Sequence, residues 1–549
     1  AGHASALLLP SSASAGKVGA HEGGHASVSI SPEPLDLRIL ADAIAPPSSA
    51  VRVALLFMIL GALCTASLSA YTWSLGEVAE EDQPSSPVRA GSGRATDDSA
   101  LDLATPSVAA ERRTRSLLAR RSTIVVAEIR KRHWTIEDAS DSMSGFEFVV
   151  NMFADLCPPG MLPLAHGLKD TGFIPGLAML VSFYALCVYT MYAVARTTEI
   201  TGMKDYAGQW SSAIGQGSSW IPVAVVTLVC FGCNLSYSCF IADIFSGVMP
   251  AFGLVMSRSQ CLFALTLFPI LPLCLLKNLS ALSKSSMFAV VAVIYTAVFM
   301  CCRAADGSYK EGGAFFADLS AELRPKPPAD DHLWTIGPPS LALVNGLALA
   351  FIAHYNGCKY YRELEHHTPA RLSQYTALAM GICAVLFGST MYAGFHTFGT
   401  NADSVILQNY SERDSLANVA RVGMGLSIVA SFPLMFSGLR EAVITLIKQT
   451  DPPHAADWDL VWKQDALSVV LLSVLTGVAL VVQDAGIVVG LVGAICGSAV
   501  IYIVPCTLYA SAIRSFLGEE NGPKLLWLRL LTAFGIVLAI AGCYSALAY

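Results

Sequence analysis

Apolar residues gather in blocks about as long as a bilayer-crossing helix needs, with polar residues between them. From residue 146 onward the blocks fall at 146–168, 173–195, 220–248, 260–276, 286–302, 338–356, 373–397, 417–438, 466–482, 486–511 and 526–547. Each is long enough to cross a hydrocarbon core of about 30 Å. A further block, VRVALLFMILGALCTASLSAYTW at 51–73, stands apart. It reads as an extra membrane helix, with a signal anchor or the core of a targeting signal as alternatives. The pattern predicts an all-α polytopic membrane protein of about eleven spans, with 146–549 as the transmembrane domain.

The region before that domain reads differently. Residues 1–50 are rich in Ala, Ser, Gly and Pro and carry no apolar period, the mark of a disordered segment. Residues 74–145 are polar, and the stretch 111–134 holds eight Lys or Arg against two Glu. Basic residues just ahead of a membrane helix mark the cytosolic side. With 111–134 inside, the loops carrying Arg196 and Lys204, Lys359 and Arg371, and Arg440 and Lys448 also fall inside. The sequon Asn409-Tyr410-Ser411 then falls outside, where glycosylation is expected to be open to it.

Composition agrees. The chain of 549 residues is 54% hydrophobic and 14% charged, with a mean hydropathy of +0.55, where a soluble chain would be about a quarter charged. A net charge of −7 and one local basic stretch argue against a nucleic-acid partner. Most of the fifteen cysteines sit inside apolar blocks, among them Cys157, Cys187, Cys230 and Cys496, where they act as small hydrophobes. No pair has zinc-ligand spacing, and no disulfide framework is expected.

One block carries unusual chemistry. Residues 155–163 read DLCPPGMLP, inside the first span. A proline in a helix removes a hydrogen bond and crowds the preceding turn. The stretch Cys157-Pro158-Pro159-Gly160 is therefore expected to unwind near the bilayer midplane. Unwound backbone survives there only when buried in protein or lining a cavity. Secondary transporters use such breaks as binding sites, while a plain proline kink is the simpler reading. The sixth span, PPSLALVNGLALAFIAHYNG at 338–357, is the expected counterpart, interrupted at Asn345 and Gly346.

Several stretches, in order, resemble the amino acid/auxin permease family, within the amino acid-polyamine-organocation superfamily. They are GMLPLAHGLKDTG (160–172), TEITGMKDY (198–206), FGCNLSYSCFIAD (231–243), FPILPLCLLKNLSALSKSS (268–286), AHYNGCKYYREL (353–364), TFGTNADSVILQNYSERD (397–414), VGMGLSIVASFPLMFSGLRE (422–441) and QDAGIVVGLVGAICGSAVIYIVPCTLYA (483–510). The likeness spans about 146–545 and leaves 1–145 outside it. The family usually has Gly-x-Gly where this chain has Pro158-Pro159-Gly160. The resemblance implies a leucine-transporter-like fold of two inverted five-helix repeats and coupled amino acid transport. It implies no cofactor beyond a coupling ion, H⁺ or Na⁺.

The resemblance also places candidate residues. The substrate cradle would be Cys157, Pro158, Pro159, Gly160 and Met161, with Ala348, Ala350 and Phe351 opposite and Tyr237 as a cap. A membrane tyrosine is as often simple packing. A cation site would lie between the first and eighth spans, at Asn151, Ser427 and Ser431, whose oxygens suit a hard cation. The same residues serve equally well as interhelical hydrogen bonders. The family's second Asn is Ala154 here, which weakens the case for Na⁺. Asp155 is a carboxylate inside a span, costly and functional by default. It is expected to exchange a proton during transport, or else to accept from a neighbouring donor. His354 is expected near water, and Arg440 with Glu441 at an inner gate or in an ion pair.

These residues exclude other classes. There is no Ser/His/Asp set or nucleotide loop, so no enzyme is expected, and no repeated filter loop, so no channel. The leading reading is a secondary transporter for amino acids, in the plasma membrane or an internal membrane such as the vacuole. The alternative is a sensor that uses the same pocket and signals through the N-terminal region.

Overall fold

The first span starts where Ser144 and Glu147 cap each other. The Glu147 N–H donates to the Ser144 hydroxyl at 3.3 Å, and the Ser144 N–H donates to the Glu147 carboxylate at 2.9 Å. This satisfies two donors that a helix start leaves open. The structure, a computed structural model, describes residues 143–276, 285–328, 333–450, 452–482, 484–518 and 522–548. The apolar block at 51–73 and the basic stretch at 111–134 lie outside the described residues.

Helix α1 runs Gly145–Gly160 and resumes as Leu164–Leu168. Then come α2 (Phe173–Thr201), α3 (Trp220–Val248), α4 (Arg258–Leu275) and α5 (Ser285–Asp306). Helix α6 runs Leu341–Ala350 and resumes as Gly357–Glu363. The rest are α7 (Pro369–Phe398), α8 (Ser415–Thr450), α9 (Val461–Val481), α10 (Ala485–Leu517) and α11 (Pro523–Ala548). Ten described helices, α6 taken across its break, are long and apolar enough to cross a membrane. The interrupted α1 is the eleventh span. Hydroxyls inside the spans bond back to their own helix, as Thr190, Thr197, Thr198 and Thr201 do in α2. These hydroxyls are then not left unpaired within the span.

Helices five places apart pack on each other: α1 with α6, α2 with α7, α3 with α8, and α4 with α9. Successive spans alternate in direction, so members of each pair run oppositely. This is the leucine-transporter-like inverted repeat, with α11 outside it, packed on α10 and α6. The pairing brings the two interrupted helices, α1 and α6, together at the centre.

Glycine makes the approach of α10 to α6 close enough. A Cβ on Gly493 would stand 2.0 Å from the backbone carbonyl oxygen of Asn345. The Asn345 amide in turn donates to the Gly542 carbonyl of α11 at 3.0 Å. Overpacking a tight core costs about 1–3 kcal/mol, and here the obstacle is backbone that cannot rotate away. Gly493→Ala is expected to lower the melting temperature of the detergent-solubilised protein by several degrees. Gly477→Ala, in a helix where a Cβ meets nothing within 4 Å, is the matched control and should not. Equal melting temperatures for the two variants would contradict this packing.

Candidate functional site

Both breaks lie a few residues beyond where the sequence pointed. The Cys157–Gly160 stretch was expected to unwind, yet α1 stays helical through Pro158 and Pro159 to Gly160, and the unwound residues are 161–163. The Met161 N–H still reaches the Cys157 carbonyl at 3.3 Å. The helix stops where Pro163 has no N–H to offer the Pro159 carbonyl. Leu162, the residue before that proline, is also steered away from helical backbone. In α6, Asn345 and Gly346 remain helical, and the chain unwinds at 351–353. Asn345 keeps its helix because its side chain is satisfied across the interface with α11.

The two breaks touch. A Cβ on Gly160 would lie 2.9 Å from the Ala350 Cα and 3.1 Å from Cζ of Phe387 on α7. The Phe351 ring stands edge-on to Phe387, with centroids 5.3 Å apart. Cys157, Pro158, Pro159, Gly160 and Met161 are all buried around this point, as are Ala350 and Phe351. Ala348 faces elsewhere and packs on α10 at Gly497. Tyr237 is buried on α3, its ring 6.3 Å from that of Phe432 on α8.

Asp155 sits on α1 just ahead of the break and is half-buried. Its carboxylate accepts from the Tyr355 hydroxyl at 2.6 Å and the Tyr360 hydroxyl at 3.1 Å. Both tyrosines belong to the stretch of α6 beyond its break. The same stretch is tied to the start of α1, where the Glu365 N–H donates to the Met143 carbonyl at 3.0 Å. One carboxylate thus joins the two interrupted helices through neutral donors. These tyrosines stand in the AHYNGCKYYREL stretch, but their spacing gives no sign that they converge on residue 155.

The opposite side of the break is covered by the loop between α7 and α8. The Ile406 N–H donates to the Leu162 carbonyl at 3.3 Å, inside the unwound stretch of α1. Nδ1 of His166, on the second half of α1, donates to the Ala402 carbonyl at 2.9 Å. Arg421 of α8 shapes that loop from below. It is 2% exposed, and its guanidinium donates to the carbonyls of Leu407 (2.9 Å), Tyr410 (2.5 Å) and Ser411 (3.5 Å) and to Asn418 Oδ1 (2.8 Å). The expected glycosylation site is closed by the same loop. Asn409 is fully buried, accepting from the Asp403 N–H at 2.7 Å and donating to the Asn401 carbonyl at 2.8 Å.

The remaining candidates each have contacts of their own. The Asn151 amide donates to the Met143 sulfur at 3.2 Å. The Ser431 hydroxyl donates to the Ser427 carbonyl at 3.0 Å, and the Ser427 hydroxyl is buried without a partner among the described residues. His354, expected near water, is instead fully buried. Its Nε2 lies 2.9 Å from the Thr190 hydroxyl, so it joins α6 to α2. Arg440 does not pair with Glu441, which is exposed. It donates to the Cys274 carbonyl at 3.2 Å and the Ser468 hydroxyl at 3.4 Å, tying α8 to α4 and α9. Asp243, at the far end of α3, pairs with Arg258 at the start of α4.

The chain is similar to several known proteins. The family model for transmembrane amino acid transporter proteins matches residues 142–548. A Danio rerio protein named, provisionally, as sodium-coupled neutral amino acid transporter 11 is 24% identical over 390 residues, covering 69% of this chain and 82% of that one. The Arabidopsis thaliana amino acid transporter AVT6E is 23% identical over 320 residues, covering 56% and 64%. Vacuolar amino acid transporter 2 of Saccharomyces cerevisiae is 22% identical over 367 residues, covering 65% and 74%. Among solved structures, inward-facing Mhp1 is 13% identical, with a TM-score of 0.48 over 75% of this chain and 90% of that one. A Na⁺-coupled sialic acid symporter is likewise 13% identical, with a TM-score of 0.43 over 79% and 96%.

Proposed function

We propose that this chain, which belongs to the transmembrane amino acid transporter family, is a secondary active carrier of neutral amino acids coupled to protons through Asp155. The observation that carries the reading is the Asp155 carboxylate, held by Tyr355 and Tyr360 across the two interrupted helices. The breaks at 161–163 and 351–353 supply backbone groups for a substrate's carboxylate and amine. The side chains around them, Met161, Ala350, Phe351 and Phe387, are apolar and suit an uncharged side chain on the substrate.

Coupling follows from the charge on Asp155. As a carboxylate it accepts from both tyrosines and fastens the far half of α6 to α1. Once protonated it can accept less well, and that half of α6 is freed to swing. On the other side, the Ile406 and His166 contacts hold the α7–α8 loop over the break. Alternating access means releasing one set of contacts while the other stays made. Asn151, Ser427 and Ser431 are the groups a Na⁺ ion would use. The name of the Danio rerio relative favours that ion, and the carboxylate of Asp155 favours the proton.

Counterflow tests the carrier reading without any gradient. Proteoliposomes loaded with a mixture of unlabelled neutral amino acids should transiently accumulate a labelled one by exchange. If no amino acid in the mixture exchanges, the reading fails.

A further inference from the structure

Cys157 is the last residue before the proline pair of α1, and Cys383 lies midway along α7. Both are fully buried, and the Cys157 thiol meets the Cys383 sulfur at 3.3 Å. The Cys239 and Cys496 thiols meet carbonyls instead, those of Val482 and Leu228. Cys383 and Phe387 are four residues apart on α7 and so share a face. That face presents Phe387 to Gly160 and Phe351, and Cys383 to Cys157. It is therefore the wall against which both breaks rest.

We propose that Cys157 and Cys383 form a reversible oxidation site, a disulfide latch that fastens the break of α1 to α7 and stops transport. The proposal rests on the carrier reading, because a latch matters only if this segment moves. The co-reactant is a peroxide. One thiol displaces hydroxide from H₂O₂, giving a sulfenic acid and one water. The second thiol then attacks that sulfur, forming the S–S bond and releasing a second water. Two thiols lose two electrons and two protons, and one peroxide becomes two waters. The sulfurs must close from 3.3 Å to about 2.05 Å. A peroxide molecule is little larger than water and enters when the break opens. Thiol reductants reverse the bond.

The test uses the full chain in proteoliposomes, treated with hydrogen peroxide, capped with N-ethylmaleimide and digested without reductant. Mass spectrometry should find the peptide carrying Cys157 joined to the peptide carrying Cys383. Uptake should be lost and then restored by dithiothreitol. Cys383→Ser should give no linkage and keep its uptake under peroxide. Exposed Cys302 reports that the oxidant acted. Absence of the 157–383 linkage when Cys302 is oxidised would overturn the proposal, as would a linkage that leaves uptake unchanged. The linkage is read by mass alone, so loss of this site is distinguishable from a chain that never transported amino acids.

Discussion

Asp155→Asn is expected to abolish proton-driven accumulation while leaving the folded protein intact. Asparagine matches the shape of aspartate and keeps one acceptor oxygen, so one of the two tyrosine bonds survives. What it cannot do is gain or lose a proton between the two sides of the membrane. A gradient of one pH unit stores about 1.4 kcal/mol per proton, enough for about tenfold accumulation in one-for-one symport. The wild type should approach that ratio. The variant should equilibrate the substrate without concentrating it, and its exchange rate should stay flat across pH. Its far half of α6, held by one bond instead of two, should also open more readily. If the variant still concentrates substrate with the wild-type pH profile, Asp155 is only an acceptor for two hydroxyls.

Arg421→Gln is expected to have the second large effect, on stability. The buried guanidinium is shared by three loop carbonyls and one amide oxygen rather than by a carboxylate. A shorter neutral amide reaches few of them. Each buried acceptor left without a donor costs about 1–3 kcal/mol, so the loop over the break should lose several kcal/mol of fixation. Melting in detergent should drop markedly, and uptake should fall with it as the Ile406 contact to Leu162 loosens. Arg421→Lys keeps the charge but offers a compact head in place of a planar fork, so it should recover part of the loss. A wild-type melting temperature for Arg421→Gln would show that the loop holds itself.

Much of the architecture is written in hydrophobicity alone. All eleven blocks named from residue 146 onward are helices, because a chain in lipid has few other ways to pair its backbone. The breaks were legible as events but not as positions. The pair Pro158-Pro159 was the obvious breaker, yet neighbouring helices hold α1 together through it, and Pro163, the quieter residue, marks the stop. Asn345 looked like an interruption of α6 because its partner, the Gly542 carbonyl, lies almost two hundred residues away. The same distance hides the partners of Asp155. A costly charge points to itself in any apolar segment, but the tyrosines that satisfy it belong to another helix, and only the fold brings them near. Arg421 escaped notice for a related reason. Its partners are backbone carbonyls, which no sequence pattern marks.

The most direct test of the central claim is uptake of labelled neutral amino acids into proteoliposomes, with an inward H⁺ gradient in one arm and an inward Na⁺ gradient in the other. Proton coupling through Asp155 predicts accumulation in the H⁺ arm, and none there for Asp155→Asn. Accumulation in the Na⁺ arm alone would contradict it, and would move the coupling site to Asn151, Ser427 and Ser431.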